Sequence, residues 1–184
     1  MRNKNSADRR RENQRDELWP GSADWIWDIY DEENVGFATM SRLLPWIMVL
    51  IRHLAGKGKD PTGIYWELWS RDMGQGIIQI NDEQESAYAS GYTSTRALRT
   101  WREHVQLLVD LKFLKVERNG NREVGYVLLL NPLKIARWYH ERNMAPEGWW
   151  TSFSNRARDI KADISQSLDP TTLGKKPSVT TTVP

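Results

Sequence analysis

Residues 81–130 read NDEQESAYASGYTSTRALRTWREHVQLLVDLKFLKVERNGNREVGYVLLL, and the punctuation of this stretch leaves few folds open. Asn81 can cap a short helix, with Asp82 and Glu83 favourable to its dipole and Gln84 at the capping-box position. Gly91 ends that helix, and Thr93 or Ser94 caps a longer one. Along the longer helix Leu98, Trp101, Val105, Leu108 and Leu111 form the core stripe, which leaves Arg96, Arg99, Arg102, Glu103 and Gln106 on the other faces. Phe113–Arg118 and Asn121–Leu130 then read as strands. Asn119-Gly120 between them suits a type I′ turn that pairs Arg118 with Asn121 and Glu117 with Arg122.

The flanks are simpler. Leu43, Trp46, Ile47, Leu50, Ile51 and Leu54 recur at helical spacing, so 38–56 is expected as a helix in which Pro45 either lies near the first turn or makes a kink. Residues 63–73 are read as a helix and Ile77–Ile80 as a short strand. Asn131-Pro132 starts a further helix reaching about Asn143. From Phe153, apolar residues at 153, 157, 160 and 164 give an amphipathic helix, packed back on the domain or paired with a second copy. The resulting fold class is α+β. Its expected parts are a basic arm at 1–17 and an acidic Trp-rich arm at 18–37, then the main domain at 38–143, the C-terminal helix at 144–168 and a tail at 169–184. The first and last of these are disordered by composition.

Charge is segregated rather than abundant. The net charge is only +2, yet residues 1–15 carry Arg2, Lys4, Arg9, Arg10, Arg11 and Arg15, while 16–34 hold seven acids and no Lys or Arg. The basic arm is a solvated tail or a phosphate contact. In the acidic arm Trp25, Trp27 and Tyr30 are candidate partner-binding residues, for a protein partner or for a basic groove of the chain itself; the alternative is aromatics padding the core. The absence of cysteine excludes disulfides and thiolate metal sites and fits a cytoplasmic setting. The longest apolar run, Leu43–Ile51, is too short for a bilayer and contains Pro45, so no membrane association is expected.

Enzymatic chemistry finds little footing. His53, His104 and His140 fall on three separate helices, and no metal or other cofactor is expected. Asp28, Asp31, Glu32 and Glu33 would need another carboxylate to hold a divalent ion, the remote case of a metal-dependent nuclease. No nucleophile–base pair stands out.

Duplex DNA is a different matter. Ala87 and Gly91 stand where a helix-turn-helix wants a small residue and a turn glycine. Thr93, Ser94 and Thr95 offer hydroxyls and free N–H groups to phosphate. Arg96, Arg99 and Arg102, with Gln106 beyond, offer donors to base edges, and Arg118 and Arg122 would reach the flanking backbone or minor groove. The competing reading is a solvated surface on a protein-interaction module.

The segment NDEQESAYASGYTSTRALRTWREH, the hairpin FLKVERNGNREVGYVLLL and the NP that follows it make residues 38–142 resemble the winged-helix domains of plasmid and phage replication initiators and plasmid-borne regulators. The resemblance implies sequence-specific duplex binding, often as a dimer, here possible through 153–164. The chain departs from those proteins in having one clear winged helix where many initiators have two, and in its acidic arm. A site-binding accessory role in replication or transcription is therefore expected as readily as origin melting.

Overall fold

The computed structural model describes residues 5–22, 26, 36 and 38–172. The chain divides into two units, Met1–Ala38 and Thr39–Pro184.

In the first unit, α1 (Ser6–Leu18) occupies most of the arm expected to be disordered. Its start explains the difference. Asn5 accepts from the Asp8 N–H while the Asp8 carboxylate accepts from the Asn5 N–H, a capping box that satisfies two orphan donors at once. Arg, Glu and Gln then lose little rotamer freedom on entering a helix. None of its residues is buried. Trp25, Trp27 and Tyr30 lie outside the described residues, as do 173–184.

The second unit runs α2 (Leu44–Ala55), α3 (Thr62–Arg71), β1 (Ile77–Gln79), α4 (Glu83–Ala89), α5 (Ala97–Asp110), β2 (Leu114–Asn119), β3 (Arg122–Leu129), α6 (Pro132–Glu141) and α7 (Trp149–Asp159). It is α+β, with an antiparallel sheet in the order β1-β3-β2. That order is compatible with the winged arrangement expected above. Pro45 sits in the first turn of α2, where its missing N–H costs nothing, so this helix begins later than its apolar pattern. Asn131 caps α6 by accepting from the N–H groups of Leu133 and Lys134, with Pro132 at the first helical position as expected.

One apolar core joins these elements. Ile47, Leu50 and Ile51 of α2, Ile64, Tyr65 and Leu68 of α3, Trp101, Val105 and Leu108 of α5, Val127 of β3 and Ile135 of α6 are all buried. Fully burying a side chain of this size stabilises by roughly 1.5–3 kcal/mol. Tyr65 and Phe113 meet edge to face at 5.7 Å, and Phe113 stacks on Tyr139 at 6.0 Å.

The C-terminal helix packs against α2 of its own unit. α7 begins at Trp149, earlier than the apolar spacing suggested, and buries Trp149, Phe153 and Ala157. Trp149 Nε1 donates to the Trp46 carbonyl at 2.8 Å, and Trp46 Nε1 donates to Ser152 Oγ at 2.9 Å. Phe153 and Ala157, on the face considered for pairing with a second copy, are thus buried within the chain, and Ile160 and Ile164 are partly buried. Ile160 and Ile164 lie beyond the helix, which ends at Asp159.

Candidate nucleic-acid interface

Two buried carboxylates brace the helix pair, Glu67 tying α4 to α3 and Glu83 tying α4 to α5 and β3, and neither is expected from the sequence patterns above to be buried. Glu67 on α3 is almost wholly buried, accepts from Ser86 Oγ on α4 at 3.1 Å through both oxygens, and pairs with Arg71. Burial lifts its carboxyl above the ordinary value, while Arg71 and Ser86 pull it back. Arg71 also pairs with Glu85 at 3.0 Å. Glu83 at the start of α4 is 7% exposed and joins three elements. It accepts from the Arg102 guanidinium of α5 and from the Val124 N–H of β3 at 2.8 Å. Both acids could have been found by spacing: Glu83, Ser86 and Ala87 share the buried face of α4, as Ile64, Glu67 and Leu68 share that of α3.

The cap of α4 is Asp82 rather than Asn81. Its carboxylate accepts from the N–H groups of Gln84 and Glu85. A second close approach follows at the far end of α4, where a Cβ on Gly63 would stand 2.6 Å from the Ser90 carbonyl oxygen.

Between the helices the chain turns at Gly91 (φ 92°), a backbone state that glycine enters without strain. Thr93, Ser94 and Thr95 remain in the connecting loop. α5 starts at Ala97 with Arg96 at the cap position, so neither Thr93 nor Ser94 caps it, contrary to expectation. The Ala97 N–H is taken by the Ser94 carbonyl at 2.9 Å. The three hydroxyl residues are exposed and line a crevice with Gln84, Tyr88 and Leu98. Tyr92 ties this loop to α5: its hydroxyl and His104 Nδ1 are 2.5 Å apart, with the rings edge to face. Burial lowers the His104 pKa, helped by Lys59 and opposed by Glu103 and Asp60. The Tyr92 hydroxyl is pushed up to about 12, by burial first and by Asp60 second.

The arginines of α5 part company. At about 100° per residue, a spacing of three turns each successive side chain roughly 60° backwards around the helix. Arg96 and Arg99 face solvent, Arg99 being 81% exposed and paired with Glu103 at 2.9 Å. Arg102 has rotated into the body, is 30% exposed, and bonds Glu83 and Glu123. It fastens α5 to α4 and β3 instead of standing on the open strip expected for it. Gln106 is exposed and donates to Asp110 at 2.9 Å. The open strip is therefore Arg96, Arg99, Glu103, Gln106 and Asp110, of mixed sign.

The hairpin also departs from its expected register. Asn119 pairs with Arg122, and the turn residues are Gly120 and Asn121. Gly120 alone of the two has positive φ (59°), the requirement of a type II′ turn with glycine first, not of a type I′ turn. A bulge separates this pair from Glu117–Tyr126. Gly125 fills the bulge where a Cβ would overlap the Asn119 backbone at 2.3 Å. Arg118 is exposed near the tip, whereas Arg122 is half-buried and donates to the Ile80 carbonyl at 3.5 Å.

Among the described residues no group of three His, Asp or Glu side chains is placed to hold a metal ion, and no helix is long and apolar enough to cross a membrane. Neither the scan of family models nor the searches of curated proteins and of solved structures returned a match to this chain.

Proposed function

We propose that this chain is a non-enzymatic, sequence-specific duplex-DNA-binding protein of the winged-helix type, serving as a regulator or accessory factor in replication or transcription. The order α2-α3-β1-α4-α5-β2-β3 and the sheet order β1-β3-β2 support the fold part of the reading. The observation that carries the functional part is the exposed strip at the N-terminal end of α5, Arg96, Arg99 and Glu103. Arg96 and Arg99 stand beside the hydroxyls of Thr93, Ser94 and Thr95, on a helix pair braced from behind by Glu67 and Glu83. In this reading α5 enters the major groove, the loop hydroxyls and first-turn N–H groups take phosphate, and Arg118 holds the flank.

Fluorescence anisotropy with labelled duplex over a salt series tests it, with an Arg96→Ala/Arg99→Ala variant beside the wild type. Binding that weakens with salt and falls at least about ten-fold in the variant is the expected result. No binding by either protein at low salt would dismiss the reading.

A protein-interaction module is the second reading, favoured by one observation. Ile77, Tyr126 and Leu128 are exposed on one sheet face, paired across β1 and β3 as Ile77–Leu128 and Gln79–Tyr126. A duplex-binding protein does not need an apolar sheet face, while a protein partner does. The anisotropy series separates the two.

A further inference from the structure

The exposed strip of α5 carries a carboxylate where a helix that only neutralised phosphate would carry none. Glu103 is 59% exposed and lies one turn beyond Arg99, whose Nε donates to it at 2.9 Å. Its neighbours on the strip are Arg99 and Gln106, all within roughly 60° around the helix axis. Trp101, Val105 and Leu108 occupy the opposite, buried side, so the strip cannot rotate away from a groove that α5 enters.

A carboxylate in a major groove is repelled by the phosphates of every sequence. It is compensated only where the base edge offers a hydrogen-bond donor. Cytosine N4 and adenine N6 are the two donors exposed there, and cytosine N4 is the usual partner of an acidic side chain. Arginine has the opposite requirement, and guanine O6 and N7 meet it bidentately. Building on the duplex-binding reading above, we propose that Arg99 and Glu103 are the specificity-determining pair of this protein, Arg99 taking a guanine and Glu103 a cytosine N4 amine. The two side chains leave the helix about 6 Å apart along its axis, close to two base-pair steps of about 3.4 Å, so the guanine and the cytosine lie within two to three base pairs of one another. In the free protein each satisfies the other, so neither charge stands uncompensated before binding. On cognate DNA the pair opens and each side chain exchanges one partner for a base edge. On other sequences Glu103 loses Arg99 without replacement and lowers affinity. Glu103 thus acts chiefly by rejecting wrong sites.

Selection of bound duplexes from a random pool, followed by anisotropy on the selected site and its single-base variants, tests this with wild type, Glu103→Ala and Glu103→Gln. Both substitutions fall on an exposed side chain, and thermal denaturation checks that the fold is kept. The expected result is a selected site containing a cytosine whose replacement weakens wild-type binding on the order of ten-fold. That same replacement should change binding of Glu103→Ala less than about two-fold, while the affinity of this variant for unselected DNA rises. Glu103→Gln, which loses the charge and keeps an acceptor, should show the same rise in unselected binding with part of the cytosine preference retained. If wild type selects a site and Glu103→Ala selects it with the same preference at every position, the proposal is overturned and duplex binding stands. If wild type binds no duplex, both fall together.

Discussion

A carboxylate taken out of water must recover its hydration from protein donors, and Glu83 does so from a guanidinium and a backbone N–H that belong to two other elements. Removing one partner of such a pair leaves the other charge buried and uncompensated, at a cost of about 3 kcal/mol. Arg102→Ala is expected to lower stability by about that amount. Glu83→Gln retains an acceptor for the Val124 N–H and should cost only about 1 kcal/mol. Urea denaturation measures both. The same experiment separates the structural role of Arg102 from the interface role the sequence suggested. Once corrected for the folded fraction, duplex affinity of Arg102→Ala should match wild type. A loss persisting after that correction would return Arg102 to the contact surface.

At the scale of elements, the contact between Tyr92 and His104 ties the loop between α4 and α5 to the body of α5. Because burial lowers the His104 pKa from its ordinary 6.5, the unfolded chain binds the imidazole proton more tightly than the folded one. The neutral ring therefore contributes stability that is fully present above about pH 6.5 and is lost as pH falls through the lower folded value. Thermal melts between pH 7.5 and 5 should show that decline in wild type and a shallower one in His104→Gln. Equal slopes in the two proteins would mean that other groups carry the acid sensitivity. Ordering the loop sets where Thr93, Ser94 and Thr95 stand, so acidification should also weaken duplex binding before the core unfolds.

At the scale of the whole molecule, the charge on the folded unit is too balanced for a protein that grips DNA by phosphate neutralisation alone. Arg102 and Arg122 are engaged internally, and Glu103 and Asp110 oppose Arg96 and Arg99 on the same strip. If Arg96 and Arg118 are the phosphate contacts, the log–log dependence of affinity on salt should have a slope of about −2, and Arg118→Ala should bring it to about −1. Each arginine of α1 that also engages a phosphate would steepen it by about one. A slope indistinguishable from zero in wild type would mean that no phosphate is neutralised. A shallow slope leaves base readout to supply more of the affinity than it does in strongly basic binders.

Periodicity and punctuation are local properties, and what depends on them alone was legible from the chain. The buried stripe of α5, the proline-started α6, the glycine at the α4 terminus and the hairpin after α5 all follow from side-chain spacing and backbone preference within a few residues. One-residue offsets escaped, because Asn81 and Asp82 cap equally well on local terms, as do the two phases of the Asn119-Gly120-Asn121 turn. Tertiary contacts chose between them. The inward fit of Glu83 against Arg102 and Val124 accompanies a cap at Asp82, and the bulge at Gly125 accompanies a turn at Gly120-Asn121. The fate of each arginine belongs to the same class. Arg99 and Arg102 are alike in composition and nearly alike in neighbours, but a 60° step around a helix brings one to water and the other to a buried carboxylate carried by a different element. Sequence spacing determined that α5 has a polar face, and only the packing of α4 and β3 against it decided which part of that face is open.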